Sequence, residues 1–235
     1  MLTGTSCKKN MPVVLFDTDD MDTTIQHASP AYPDSTIDFL ALGDSYTIGA
    51  SVDERDRFPA QTKGILGKNN IHLGALRYIA VSGWTSSSLL SALTFENLPD
   101  SFKIVTLLIG VNDQYRGYDV TGYGKQFTQL LDKSIALAGG RRDHVFVLSI
   151  PDYSVTPFAS GGNREQISKE IDAFNEVNKS ITNSNNVSYI NITPVSREAL
   201  NDPSLLAHDG LHPSGKMYAR WAEMLSAEIE RKWRP

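Results

Sequence analysis

Five short apolar runs are each stopped by a turn and separated by longer segments of helical character. They are Asp38–Leu42, Leu76–Val81, Lys103–Ile109, Val145–Ile150 and Val187–Ile192. Bounded runs of this length read as buried strands. The intervening segments Phe58–Leu66, Thr85–Phe95, Gly124–Ala138 and Asn163–Thr182, and the final Pro213–Trp233, read as helices. In the last of these, Met217, Trp221, Leu225 and Ile229 recur every four residues, the spacing of one helix face. Strands alternating with helices predict an α/β fold: a parallel sheet with helices on both faces. The 235 residues are enough for one sizeable domain, placed at residues 36–235.

The first run ends at Gly43-Asp44-Ser45-Tyr46-Thr47. Glycine permits a tight turn, and the polar residues after it suit a helix start. Ser45 is therefore expected at the carboxyl end of a strand and the start of a short helix. In open α/β sheets ligands bind at that edge. A hydroxyl there lies near backbone N–H groups that favour negative charge. Two further runs end at Ser82-Gly83 and at Gly110-Val111-Asn112-Asp113, which a parallel sheet brings to the same edge. The last element is Asp209-Gly210-Leu211-His212-Pro213, with Pro213 expected at the first helical position and His212 held extended just before it.

These residue types suit nucleophilic catalysis. A serine hydroxyl needs a base to take its proton. A histidine, whose ordinary pKa lies near ~6.5, can be that base. Asp209, three residues before His212, can hold one imidazole nitrogen and steady the imidazolium. The oxyanion of a tetrahedral intermediate needs donors. The backbone N–H groups of Ser45 and Gly83 and the side-chain amide of Asn112 are the candidates. His208 lacks the Asp-x-x-His spacing and is the weaker base. His27, His72 and His144 are read as structural or surface residues. Asp44, Trp84, Asp113, Tyr115 and Phe158 are the candidate substrate contacts, with Pro151–Phe158 as a wall of the site.

In order and spacing, Gly43-Asp44-Ser45-Tyr46, Gly83, Gly110-Val111-Asn112-Asp113 and Asp209-Gly210-Leu211-His212-Pro213 resemble the four sequence blocks of the SGNH (GDSL-type) hydrolases. The resemblance spans nearly the whole expected domain. It implies a flavodoxin-like, three-layer α/β/α fold on a five-stranded parallel sheet, and hydrolysis of carboxylic esters through an acyl-serine intermediate. It places the nucleophile on Ser45, the oxyanion donors on Ser45, Gly83 and Asn112, and the Asp–His pair on Asp209 and His212. Tyr46 departs from the leucine of the family's namesake motif. The G-x-S-x-G elbow of the α/β-hydrolases is absent around Ser45. Transfer of the acyl group to an alcohol, or a non-catalytic carbohydrate- or lipid-binding module on the same fold, are the alternatives.

Other classes find little support. A net charge of −5 provides no basic footprint for nucleic acid. No apolar run approaches the ~18 residues of a membrane span. The five histidines and one cysteine show no zinc-like spacing. No G-x-G-x-x-G follows a strand, so neither metal nor dinucleotide cofactor is expected. Residues 1–35, polar and acidic with prolines at 12, 30 and 33, read as a tail or linker. Within them Leu2–Lys9 loosely resembles the end of a bacterial lipoprotein signal without its charged and apolar regions. On that reading Cys7 would carry a lipid anchor and place the protein at a bacterial cell envelope or periplasm; the sequence by itself leaves a cytoplasmic or an envelope location open.

Overall fold

The computed structural model describes residues 37–233. The tail and its Cys7 lie outside the described residues. In chain order the elements are β1 (Ile37–Gly43), α1 (Ser45–Ile48), α2 (Phe58–Lys68), β2 (Ala75–Ala80), α3 (Ser86–Phe95), β3 (Ile104–Leu108) and α4 (Val111–Tyr115). They continue as α5 (Val120–Leu137), β4 (Val145–Leu148), α6 (Arg164–Ser184), β5 (Ser188–Ile190), α7 (Thr193–Arg197) and α8 (Gly215–Trp233). Short 3₁₀ turns join several of them.

The five strands form a parallel sheet in the order β2-β1-β3-β4-β5, the flavodoxin-like arrangement. From β1 the chain steps one way to β2, and the later crossovers step the other way. Right-handed crossovers then put α2 on one face and α3, α5 and α6 on the other. α2 packs against α8, whereas α5 packs against both α3 and α6. With both faces covered, the central strands are mostly apolar and buried, while the edge strand β2 carries Arg77 and is half-buried over most of its length. Phe39, Leu40, Ala41 and Leu42 of β1 and every residue of β3 are buried. Trp221, Tyr218 and Phe58 fill the layer between α2 and α8, with Tyr218 and Trp221 edge-to-face at 5.2 Å.

Register sets the position of the site. Gly43 lies beside Ala80 of β2 and Leu108 of β3, so the turns after these strands emerge side by side. The β1 turn is tight because residue 43 is glycine. A Cβ there would stand 2.1 Å from Thr47 Oγ1 and 2.4 Å from the Leu108 carbonyl oxygen.

Two expected boundaries move. α5 begins at Val120 rather than residue 124, because the Asp119 carboxylate accepts the Gly122 N–H at 2.8 Å and caps the helix. Gly122 and Gly124 do not break it; Gly124 instead lets Val177 of α6 approach closely. Pro213 is not the first residue of α8. It pairs with Leu206 in an isolated antiparallel bridge, and the helix starts at Gly215, after Ser214. The Ala207 N–H to His212 C=O and Ser214 N–H to Leu205 C=O bonds, both 2.8 Å, make residues 205–214 a closed loop that presents Asp209 and His212.

Candidate active site

Ser45 is the first residue of α1 and is almost fully buried. The cap is Asp44, whose Oδ1 accepts the Tyr46 N–H at 3.0 Å. Across the sheet edge the loop at 205–214 brings His212 to the same cavity, about 90 Å³ in volume, which Ser45, Asn112 and His212 line together. Among the described residues the Ser45 hydroxyl has no hydrogen-bond partner. In sites without substrate such bonds are often long and tighten once substrate binds.

Asp209 organises the loop around His212, the candidate base. Its Oδ1 accepts the Leu211 and His212 N–H groups, each at 2.9 Å. Its Oδ2 meets His212 Nδ1 at 2.6 Å. A carboxylate only accepts, so Nδ1 carries the proton and Nε2 is left as the basic nitrogen. Oδ2 also accepts the Ser51 hydroxyl at 2.6 Å, from 158 residues away in the chain. Partial burial alone would raise the Asp209 pKa. The bonds from Ser51, His212 and the Leu211 and His212 amides outweigh it and hold the carboxyl well below its ordinary value.

Two of the three oxyanion candidates, Gly83 and Asn112, come from the neighbouring turns after β2 and β3. Gly83 adopts a φ of +81°, a left-handed conformation that suits glycine. Its carbonyl accepts from Arg116 Nη2 at 3.1 Å, and the next carbonyl, of Trp84, accepts from Asn112 Nδ2 at 2.9 Å. Ser86 donates its N–H to Asp113 Oδ2 at 2.8 Å. Three side chains of the 112–116 turn thus hold the 83–86 turn. The second Asn112 amide hydrogen faces Asp44 Oδ2 at only 3.5 Å, a weak bond that leaves it free to turn toward an oxyanion.

Tyr115 and Phe158 line the cavity with Tyr46, Val111, Tyr153 and Leu211. The rings of Tyr115, Tyr153 and Phe158 pack together with centroids 6.0–6.2 Å apart, so two residues of the Pro151–Phe158 segment, Tyr153 and Phe158, line this cavity. Gly83 and Trp84 lie in the turn that Asn112, a lining residue, holds through the Trp84 carbonyl.

Two expected substrate contacts are corrected. Asp44 and Asp113 have no exposed surface, so neither can touch a substrate. Their carboxylates face inward to cap α1 and to bind Ser86. Burial raises the Asp44 pKa to about 7, against the Tyr46 N–H bond, with the nearby Asp113 adding to the rise. Burial likewise raises Asp113, against its bonds from Ser86.

His144 is structural: its Nδ1 donates to the Lys103 carbonyl at 2.7 Å and its ring packs on Trp233. His208 is exposed, and Asp209 engages His212 instead. His27 lies outside the described residues. Sequence reasoning missed Ser51 and the packing of Tyr46 on the His212 ring. Ser51 carries one local signal, a polar residue at φ +67° just after Gly49, but nothing nearby in the chain indicates its partner.

A family model described as the GDSL-like Lipase/Acylhydrolase family matches residues 41–220, from within β1 into α8. The chain belongs to this family. Searched against curated proteins, the sequence of this GDSL-like chain matches none. Solved structures share its fold. A lipase/acylhydrolase from Enterococcus faecalis superposes with a TM-score of 0.65 at 20% identity, covering 85% of this chain and 98% of that one. An acetyl-xylooligosaccharide esterase variant from Geobacillus gives 0.64 at 21% identity, covering 83% and 94%. A psychrotrophic esterase from a Pseudoalteromonas species gives 0.61 at 19% identity, covering 82% and 96%. Among the described residues no helix of this GDSL-like chain is long and apolar enough to cross a membrane, and no cluster of three or more His, Cys, Asp or Glu could hold a metal ion.

Proposed function

We propose that this protein is a serine esterase that cleaves acetyl and other short-chain carboxylic esters. The supporting observation is one cavity lined by Ser45 and by His212, whose Nδ1 is bound to Asp209 at 2.6 Å. In this reading Ser45 Oγ attacks the ester carbonyl carbon and passes its proton to His212 Nε2. The carbonyl π pair moves onto oxygen, where the N–H groups of Ser45 and Gly83 and the Asn112 amide receive it. Collapse breaks the bond to the alcohol oxygen, which leaves with the imidazolium proton. Water, activated by the same nitrogen, attacks the acyl-serine; collapse frees the acid, and Ser45 regains its proton. Asp209 remains ionised throughout and stabilises the imidazolium.

The preference for short chains rests on space. An apolar cavity of ~150 Å³ holds a benzene molecule. The cavity here is about 90 Å³, which suits a small acyl group held next to Ser45. The acetyl ester named for the Geobacillus neighbour fits the same reading.

The test is a series of p-nitrophenyl esters from acetyl to palmitoyl, with Ser45→Ala beside the wild type and a fluorophosphonate probe on both. Turnover highest at acetyl to butyryl, with labelling and turnover lost in Ser45→Ala, is the expected result. Full activity in Ser45→Ala removes the nucleophile assignment. A maximum at palmitoyl removes the short-chain assignment.

A further inference from the structure

The ring of Tyr46 stands where the family's name has leucine, and it packs against the ring of His212. Its centroid is 5.3 Å from that of His212, with the planes at 57°. The Trp221 ring also packs against it, with centroids 6.5 Å apart. The backbone is held at both ends: the Tyr46 N–H donates to Asp44 Oδ1 at 3.0 Å, and its carbonyl accepts the Tyr218 hydroxyl at 2.9 Å. Tyr46 is 4% exposed, and 14% of the His212 side chain is open. The ring therefore has little freedom to turn away.

On the proposed mechanism His212 is neutral at rest and cationic in both tetrahedral transition states. An aromatic ring within about 6 Å attracts a cation through its quadrupole, and more strongly where water is excluded. Aspartate compensates the charge only at Nδ1, where Asp209 binds. We propose that Tyr46 is a positioning residue of the reaction: its ring holds the His212 imidazole in place and stabilises the imidazolium as it forms. A leucine there would fill part of the space but lacks the quadrupole. This inference rests on the esterase reading and assigns to Tyr46 a part that the four sequence blocks leave open.

The titratable groups around the pair are Asp209 on the His212 ring, Asp44 at the Tyr46 backbone N–H, Asp152 near the Tyr46 phenol, the Tyr218 hydroxyl on the Tyr46 carbonyl, and the phenols of Tyr46, Tyr115 and Tyr153 at the cavity. Burial pushes the Tyr153 phenol up to about 12, partly offset by Gln114, and pushes Tyr46 well above its ordinary value, so both stay neutral in the working range. Asp44, raised to about 7 by burial, titrates within the assay range, so each Tyr46 variant is also compared in an Asp44→Asn background.

The experiment compares wild type, Tyr46→Phe and Tyr46→Leu on p-nitrophenyl acetate from pH 5 to 9, after circular dichroism establishes that each is folded. Tyr46→Leu should lose about 3- to 30-fold in kcat, the range of one cation–π contact. The acid limb of its kcat/KM profile should move to lower pH, because the imidazolium has lost a stabilising neighbour. Tyr46→Phe should stay within about twofold of wild type, with the limb in place. If Tyr46→Leu does not fold, Tyr46→Met, unbranched and also without a ring, replaces it.

Three results overturn the proposal. One is unchanged kcat and limb in the ringless variant. Another is a rise in KM alone, which would make Tyr46 only a wall. The third is an equal loss in Tyr46→Phe, which would assign the effect to the hydroxyl. Fluorophosphonate labelling and turnover of the wild type report separately on the esterase reading, so failure of either idea is seen by itself.

Discussion

Asp44 is a buried carboxyl directly before Ser45, and its replacement by asparagine should change how stability depends on pH. In the folded chain burial holds its pKa at about 7, against 3.8 for the ordinary group. Between these values the native state binds a proton that the unfolded chain has lost, so stability falls as pH rises. The gap of about three pH units, at ~1.4 kcal/mol each, amounts to about 4 kcal/mol, of which about 3 kcal/mol lies between pH 5 and pH 8. Asparagine has no such proton. Its carbonyl can still accept the Tyr46 N–H, so the α1 cap survives.

The assay is urea unfolding of both proteins at pH 5, 6, 7 and 8, with the m-value checked for constancy. The wild type should lose about 3 kcal/mol more than Asp44→Asn across that range. Two other groups do not confuse the comparison. Asp209 is held well below its ordinary pKa; its contribution is lost only as pH falls below the carboxylate range, outside the window. Burial lowers the His144 pKa, against its bond to Lys103, so stability rises with pH through the histidine range in both proteins alike. An identical pH dependence in the two proteins would refute the argument that burial of Asp44 controls its ionisation.

Two further outcomes follow from the site geometry. Asn112→Ala should lower kcat by ~10²–10³, the loss of one oxyanion donor, in steady-state assays with p-nitrophenyl acetate; near-wild-type kinetics would put the donor elsewhere. Ser51→Ala removes one of the four hydrogen bonds that Asp209 accepts. Asp209 retains three and its side chain is 26% exposed, so water replaces part of the loss, and kcat should fall by about 3- to 10-fold with KM unchanged. An unaltered kcat would remove Ser51 from the site.

The strands were legible because β1 and β3 are buried on both faces, which demands unbroken apolar runs. Ser45, Gly83 and Asn112 were legible because strand-end turns write their requirements locally, as a glycine, a cap or a left-handed φ. Asp209 and His212 were legible because three residues and a glycine suffice to close one around the other. The start of α5 was not, since two glycines masked a helix that the Asp119 cap and α6 packing sustain. The start of α8 was misplaced because a proline before a helix looks the same whether it begins the helix or ends a loop bridge.

By itself the chain determined its alternation of elements, the parallel sheet and the residue types gathered at one edge, because periodicity, capping and turn chemistry act over a few neighbouring positions. Packing decided the rest. It buried Asp44 and Asp113 away from any substrate, brought Ser51 to Asp209 across 158 residues, and laid the ring of Tyr46 against His212. It also set the size of the cavity. Such outcomes depend on how separate elements fill space against one another, and no local stretch of sequence contains that information.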